Sequence, residues 1–523
     1  MASPSRNTAR KVRLLAAIVV LGFAGPGRPA ECARVLAVET MGSKSHWNFM
    51  SGVIRALLDK GHGVTAFTPF ADGVVGENYT RVDVSGEMET ALAVDVYKLK
   101  QKWSSPFGKI DLFLKMSRDF CDMIYENGEM QTALGSSDFD AVLVEPFMSH
   151  CVSYTAHRLK LPIIYITPVP TIEMLKRDFT GHFPNPAIES NVFAGHAVPE
   201  TFVQRFTNAM TIAYVLVAKE YSEWRLTRAE PKHYDRVPRV QPSLFFVNGH
   251  FVSTSPTATS ANVVNIGGIH LNTPVRDLTE DISEFIEQSP DGVIYFTFGS
   301  TVKMSSLPKH VEKAFLETFA QIPERVIWKY EDVLTDKPKN VMTKKWLPQR
   351  DILSHPKVKL FISHGGISGL YEAIDAGVPI LGFPLFGDQP KNIAHLVNSG
   401  MAISMDLFSV TTGTLLKNVL ELLRNETYAQ NAKKNSEIFK DRPLSASESV
   451  VYWTEYVIRH KGAAHLKSQA LNLTWYQYYL LDVIATAFAF AFIVCFVIYK
   501  ILKSTCTFAL NYYCSRIVKS KSE

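Results

Sequence analysis

The sequence predicts an α/β protein in which two doubly wound parallel sheets face each other across a cleft, with one membrane-spanning helix near the C-terminus. Three observations predict it. Strand and helix periodicities alternate through both halves, a His-Gly-Gly turn joins a buried strand to a helix in the second half, and Leu480 to Tyr499 is almost continuously apolar. At 523 residues the chain exceeds what one hydrophobic core usually organises. With 46% hydrophobic and 20% charged residues it has a large interior to bury, which excludes a disordered or fibrous chain. Its 55 basic and 50 acidic residues leave a net charge of +5, too even a balance for a phosphate-backbone-binding face, so nucleic acid is not expected as a partner. Six cysteines are too few for disulfides to set the fold.

The two ends set the compartment. Arg6, Arg10, Lys11 and Arg13 precede the apolar run Leu14 to Ala24, which is too short to span a bilayer, so residues 1–30 read as a cleaved signal peptide. Residues 479–500 read as the transmembrane helix, with one charge, Asp482, near its start. Trp475, Tyr476, Tyr478 and Tyr479 form an interfacial belt before it, and Lys500, Lys503, Arg516, Lys519 and Lys521 follow on the positive-inside flank. Residues 501–523 are then a basic cytosolic tail, and the bulk of the chain is lumenal. The sequons at Asn78, Asn425 and Asn472 all fall on that side as glycosylation candidates. Lys519-Ser520-Lys521-Ser522-Glu523 looks like a dilysine retrieval signal, which places the expected residence in the endoplasmic reticulum membrane.

Between these ends, Arg34 to Thr40 reads as a buried strand, Trp47 to Lys60 as a helix ended by Gly61-His62-Gly63, and Val64 to Phe67 as the next strand. Ala141 to Val144, the helical stretch from Val152 to Leu159 and Ile163 to Ile166 repeat the alternation. Leu244 to Thr259 is Ser, Thr and Pro rich, and the domain junction is placed between there and Thr273-Pro274. The second half continues with strands at Val293 to Phe298, Val326 to Lys329, Lys359 to Ser363 and Ile380 to Gly382, and helices at Pro308 to Ile322 and Ile367 to Ala376. The domains are accordingly 31–270 and 271–445, followed by a return helix and juxtamembrane segment at 446–478. In such sheets ligands sit outside the carboxyl ends of the strands, so the chemistry is sought in the loops that follow strands.

The most informative stretch runs from Trp346-Leu347-Pro348-Gln349 through His364-Gly365-Gly366-Ile367-Ser368-Gly369 and Glu372 to Asp388-Gln389. His364-Gly365-Gly366 follows a strand and opens a helix, whose unpaired N–H groups and dipole suit an anionic diphosphate. From Trp346 to Asn392 the chain resembles the donor-binding signature of the UDP-glycosyltransferases, in particular the membrane-bound animal enzymes and most nearly insect UDP-glucosyltransferases. The resemblance extends in order from leader to basic tail and implies a GT-B fold of two Rossmann-like domains. It implies that Trp346 stacks on uracil, Gln349 contacts base or ribose, and Glu372 accepts from the ribose hydroxyls. It gives the diphosphate to His364, Gly365, Gly366, Ser368 and Ser300, and the transferred sugar to Asp388 and Gln389. Vertebrate members typically carry Asn where Ser368 stands, which leaves donor choice open.

Transfer to a hydroxyl needs a base, and Ser45-His46 matches the position of the family's catalytic histidine. Lying at a helix start, His46 is expected to be kept neutral by the dipole. The family's partner is a carboxylate after the strand that follows a Phe-Asp pair. Here that position is Glu145, one methylene longer than the usual Asp, with Asp140 as the fallback. Asp138-Phe139-Asp140 fits a metal-chelating Asp-x-Asp pattern but precedes its strand, and no Gly-x-Ser-x-Gly or Gly-x-Gly-x-x-G occurs, which argues against a hydrolase or a nicotinamide enzyme. No metal or cofactor is expected, the UDP-sugar being a co-substrate. The expected reaction is inverting transfer of a hexose, glucose in preference to glucuronate, to a small lipophilic acceptor. Lys391 or a residue of the N-terminal half is the candidate contact for a sugar carboxylate. The stretch Trp103 to Phe120, with Phe107, Phe113 and Met116, and the stretch around Phe183 to Phe193 are acceptor-pocket candidates. A catalytically inactive binding protein on the same fold is the alternative, and a homo- or hetero-oligomer stays open.

Overall fold

The computed structural model describes residues 32–520 apart from positions 41, 72, 87–94, 97, 99–105, 136–137, 147–152, 171–172 and 238–239. The expected signal peptide, the side chains of Phe107 and Phe113, and the end of the retrieval signal lie outside the described residues. The chain divides after Lys467 into two compact units.

The first unit holds two parallel sheets. One comprises β1 (Arg34–Val38), β2 (Gly63–Thr68), β3 (Tyr79–Asp83), β4 (Ala141–Val144), β5 (Ile163–Thr167), β6 (Leu244–Val247) and β7 (Val263–Asn265), in the order β3-β2-β1-β4-β5-β6-β7. The other comprises β8 (Val293–Thr297), β9 (Arg325–Lys329), β10 (Val341–Lys344), β11 (Val358–Ser363), β12 (Ile380–Gly382) and β13 (Ala402–Ser404), in the order β10-β9-β8-β11-β12-β13. The strand order reverses between β1 and β4 in one sheet and between β8 and β11 in the other, which makes those two crevices the ligand positions of a doubly wound fold.

Strand chemistry explains the layering. The period of two sends Leu36 and Val38 into one core and Val35 and Ala37 into another on the opposite face of the first sheet. Ile294 and Phe296 are divided from Val293 and Tyr295 in the same way on the second. Both faces are covered by helices, so the central strands read as unbroken apolar runs such as Val-Ile-Tyr-Phe-Thr. After the second sheet the chain returns to the first. Ser445 caps the Ala446–Arg459 helix through a reciprocal capping box with Glu448, and its Ala446, Val450 and Val457 join the core under β1.

The structure adds several local features. Leu244–Val247, at the start of the stretch noted for its Ser, Thr and Pro content, is a fully buried strand, because four consecutive apolar side chains outweigh the polar residues that follow. The 28-residue helix Phe202–Ala229 and the 21-residue helix Pro106–Glu126 were not anticipated. The second of these occupies the acceptor-candidate stretch, and Met116, like Phe193, packs against the first-sheet core. In the second unit, one helix runs from Leu481 to Ser520 without a Gly or Pro to stop it, so the described tail is helical. Leu481–Val518 is long and apolar enough to cross a membrane. At 38 residues it extends about 57 Å, nearly twice the ~30 Å hydrocarbon core.

Candidate active site

The acceptor side of the site begins where β1 and β4 end. Val38 pairs with Val144 in register, so Glu145 emerges level with the loop that leads into the Lys44–Asp59 helix, whose third residue is His46. The Thr40 hydroxyl donates to the Glu145 carbonyl at 2.8 Å and fixes that level. His46 Nδ1 then meets Glu145 Oε1 at 2.6 Å, with side-chain exposures of 17% and 4%. Donation from Nδ1 to the carboxylate puts the ring lone pair on Nε2, the arrangement of a base oriented by an acid. Burial pulls the proton affinity of His46 down, but the charge and hydrogen bond of Glu145, together with the charge of Asp388, hold its pKa above the usual 6.5. The helix end, which disfavours imidazolium, is thus opposed by Glu145 and Asp388. A charged partner in direct contact exceeds the partial charge of a helix end.

Asp140 lies at the other end of β4. Its Oδ2 accepts from the Arg34 amide at 2.8 Å, and Asp138 pairs with the Arg34 guanidinium at 3.6 Å. Five residues of extended chain, about 16 Å, separate Asp140 from Glu145 along the strand. Among the described residues no group of three or more His, Cys, Asp or Glu side chains converges as a metal ligand set.

The donor side is built where β8 and β11 end, with Thr297 opposite Ser363. His364 is seated between two glycines. A Cβ on Gly299, whose φ is +76°, would stand 2.8 Å from His364 Cε1, and one on Gly366 would stand 2.7 Å from Nε2. Burial, with Lys329 nearby, pushes the His364 pKa down to about 4, and its Nδ1 is buried without a hydrogen-bond partner among the described residues. Gly366 caps the Ile367–Ala376 helix with no side chain, so the first-turn amides are left for an anion. Ser300 follows Gly299 in the facing loop. Substituting Gly299 with Ala is expected to raise the donor KM by about tenfold or more, since the Cβ must displace the imidazole and the φ disfavours any side chain. Steady-state kinetics at fixed acceptor would check this, and an unchanged KM would mean that His364 has room to move.

Trp346 follows β10 and is 64% exposed, an indole face open to stacking and not a core residue. Gln349 Nε2 donates to Glu372 Oε2 at 2.5 Å, and burial pushes the Glu372 carboxyl up to about 7. Ser368 presents its carbonyl to His270 Nε2 at 3.2 Å, and the same nitrogen is 3.8 Å from Glu372 Oε1. Asp388 immediately precedes the Gln389–Asn398 helix, and its Oδ2 accepts from Asn392 Nδ2 at 2.6 Å. Its charge is felt by His46, which brings the donor half to the edge of the acceptor half. The Gln389 side-chain oxygen Oε1 accepts from the amides of Leu385 and Phe386 at 2.9 and 3.1 Å and so holds the loop in shape. Gly365 packs against Ile393, where a Cβ would approach to 2.6 Å.

Two residues of the site were missed in the sequence. Lys329 ends β9, donates to the Gly299 carbonyl at 2.9 Å and lies 5.8 Å over the Trp346 ring. The rule that chemistry follows strand ends pointed to it. His270, from the segment joining the two sheets, had no local signal. The sequon residues Asn78, Asn425 and Asn472 are all exposed.

A family model described as "UDP-glucoronosyl and UDP-glucosyl transferase" matches residues 33–516. The chain is 34% identical over 505 residues to "UDP-glucosyltransferase 2" of Dactylopius coccus, covering 94% of this chain and 95% of the relative. It is 31% identical over 509 residues to "UDP-glucuronosyltransferase 2C1" of Oryctolagus cuniculus, covering 92% and 99%. Among solved structures, Arabidopsis thaliana UGT89C1 complexed with UDP-L-rhamnose superposes with a TM-score of 0.54 at 15% identity, covering 82% of this chain and 99% of that one.

Proposed function

Because the chain belongs to the UDP-glycosyltransferase family and has its GT-B fold, we propose that it transfers glucose from UDP-glucose, with inversion, to a hydroxyl of a small lipophilic acceptor. The observation that carries the reading is the His46–Glu145 pair at the end of β1 and β4, coupled electrostatically to Asp388 from the opposite half. Trp346 stacks on uracil, while Gln349 and Glu372 take the base and ribose. The diphosphate lies against His364, Ser300 and the amides of Gly366 and Ser368, the Gly365 amide being bonded to Ser363 Oγ at 3.2 Å, and Asp388 and Gln389 hold the sugar.

As the acceptor oxygen forms its bond to the anomeric carbon, its proton passes to His46 Nε2. The bond to UDP breaks on the opposite face, and the diphosphate charge is met by the helix N-terminus. Glu145 stabilises the imidazolium that forms. No step calls on a metal. An apolar terminal helix, three exposed sequons and a disulfide-bonded Cys121 support a membrane-anchored, lumenal enzyme of the endoplasmic reticulum.

Glucose is favoured because the loop Phe383 to Pro390 carries one carboxylate and one amide but no cation, and Lys391 is already engaged. Its Nζ donates to Glu173 at 2.7 Å and to the Ser190 carbonyl at 2.8 Å. A sugar carboxylate would have to break that pair. With a generic phenol as acceptor, kcat/KM for UDP-glucose is expected to exceed that for UDP-glucuronate by about tenfold, or ~1.4 kcal/mol. UDP release measured with both donors tests this. An equal or inverted ratio rejects glucose, and no release with any UDP-sugar rejects catalysis.

A further inference from the structure

Glu39, the first residue after β1, is fully buried, and the reaction outlined above gives it no part. Val38 pairs with Phe67 on one side and Val144 on the other, so Glu39 stands level with Thr68 of β2 and with Glu145 beyond β4. Thr68 Oγ1 donates to Glu39 Oε2 at 2.7 Å, while Oε1 has no hydrogen-bond partner among the described residues. Two carboxyl groups therefore lie side by side at the end of the first sheet. One is bonded to His46, and the other is held by Thr68, with the Ser43 amide and Lys44 nearby. An ionised carboxylate in that position is disfavoured twice, by lost hydration and by its neighbour's charge, whereas a protonated one is not.

We infer that Glu39 is a third ionisable member of the reaction site, a carboxylic acid that holds a proton beside Glu145 in the resting protein and tunes the base His46 through it. The inference rests on the reading of His46 as the base. It makes Glu39 a positioning residue and leaves the proton transfer to His46. Burial first, and the charge of Glu145 after it, push the Glu39 carboxyl up to about 8, against the opposing pull of Thr68, Lys44 and the Ser43 amide. Tyr79 of β3, a half-buried phenol, is felt by the same carboxyl, and Asp388 is felt by His46 from the other half. Once Glu39 ionises, a second negative charge holds the proton on His46 more tightly. The two groups then titrate over one shared range and not as separate sites.

The test is the pH dependence of kcat/KM between pH 6 and 9.5 for the full-length membrane enzyme with a phenol and its best donor. In the wild type the rise with pH is expected to be stretched over about three pH units from a tenth to nine tenths of its maximum. Glu39→Gln is expected to compress that rise to the roughly two units of a single proton and to lower its midpoint by about half a unit. Thr68→Val removes a bond that favours the ionised form, so it should compress the rise in the same way. It also decides the question if Glu39→Gln does not fold. A curve that only translates at constant steepness overturns the inference, since Glu39 would then be charged throughout. Superimposable curves, or a loss at every pH without steepening, overturn it as well. The rate at which diethyl pyrocarbonate modifies His46, followed by peptide mass over the same pH range, gives a readout independent of turnover. If transfer proves unaffected by loss of His46, the catalytic reading fails while this titration still reports on Glu39.

Discussion

Replacement of His46 by Ala is expected to lower kcat by about a hundredfold or more while leaving the affinity for UDP nearly unchanged. The split follows from geometry. His46 stands on the first sheet, bonded to Glu145, whereas every group assigned to the nucleotide stands on the second. The imidazole acts only as the acceptor proton departs, so its loss appears in the transition state and not in donor binding. Initial rates at saturating donor, with UDP affinity measured by titration, would check both halves. Turnover near the wild-type value would remove the base assignment, and a parallel loss of UDP affinity would show that the substitution had disturbed the cleft.

The Glu145→Gln variant is expected to lose about ten- to a hundredfold in kcat and to shift the pH profile in a stated direction. In the wild type Glu145 holds the His46 pKa above 6.5, and the active base is the deprotonated ring, so activity falls as pH drops through that raised value. The amide removes the charge while the burial that disfavours imidazolium remains, so the acid limb should move to lower pH as the maximum falls. Asp140→Asn, at the far end of the same strand, should alter neither quantity. An acid limb that stayed in place would show that another group sets the proton affinity of His46.

Much of this site was legible in the residues because its parts are local. His364-Gly365-Gly366 opens a helix after a buried strand, and the structure shows why glycine is needed there, since Gly299 and Gly366 leave the space that the imidazole fills. Trp346, Gln349 and Glu372 could be named as candidates for the same reason, all lying within one stretch of chain that carries its own signature. Glu145 could be named from its place one residue past a strand, but its contact with His46 depends on the pairing of β1 with β4 across about a hundred residues. The direction in which His46 is pushed depends on Glu145, and while the helix end was visible in the sequence, the distance to that carboxylate was not.

By itself the sequence determined the alternation of strands and helices, the glycine turns, the apolar terminal helix and the strand ends at which chemistry had to be sought. These follow from periodicity and backbone sterics, which act over a few residues. Only the tertiary structure decided which strand ends meet. It placed Glu39 and Glu145 at one level, set Lys329 beneath Gly299, engaged Lys391 with Glu173 and brought Asp388 within the field of His46. Those outcomes depend on sheet order, burial and the return of the Ala446–Arg459 helix to the first sheet. A charge acquires its partner and its dielectric surroundings only when chain segments distant in sequence are packed together.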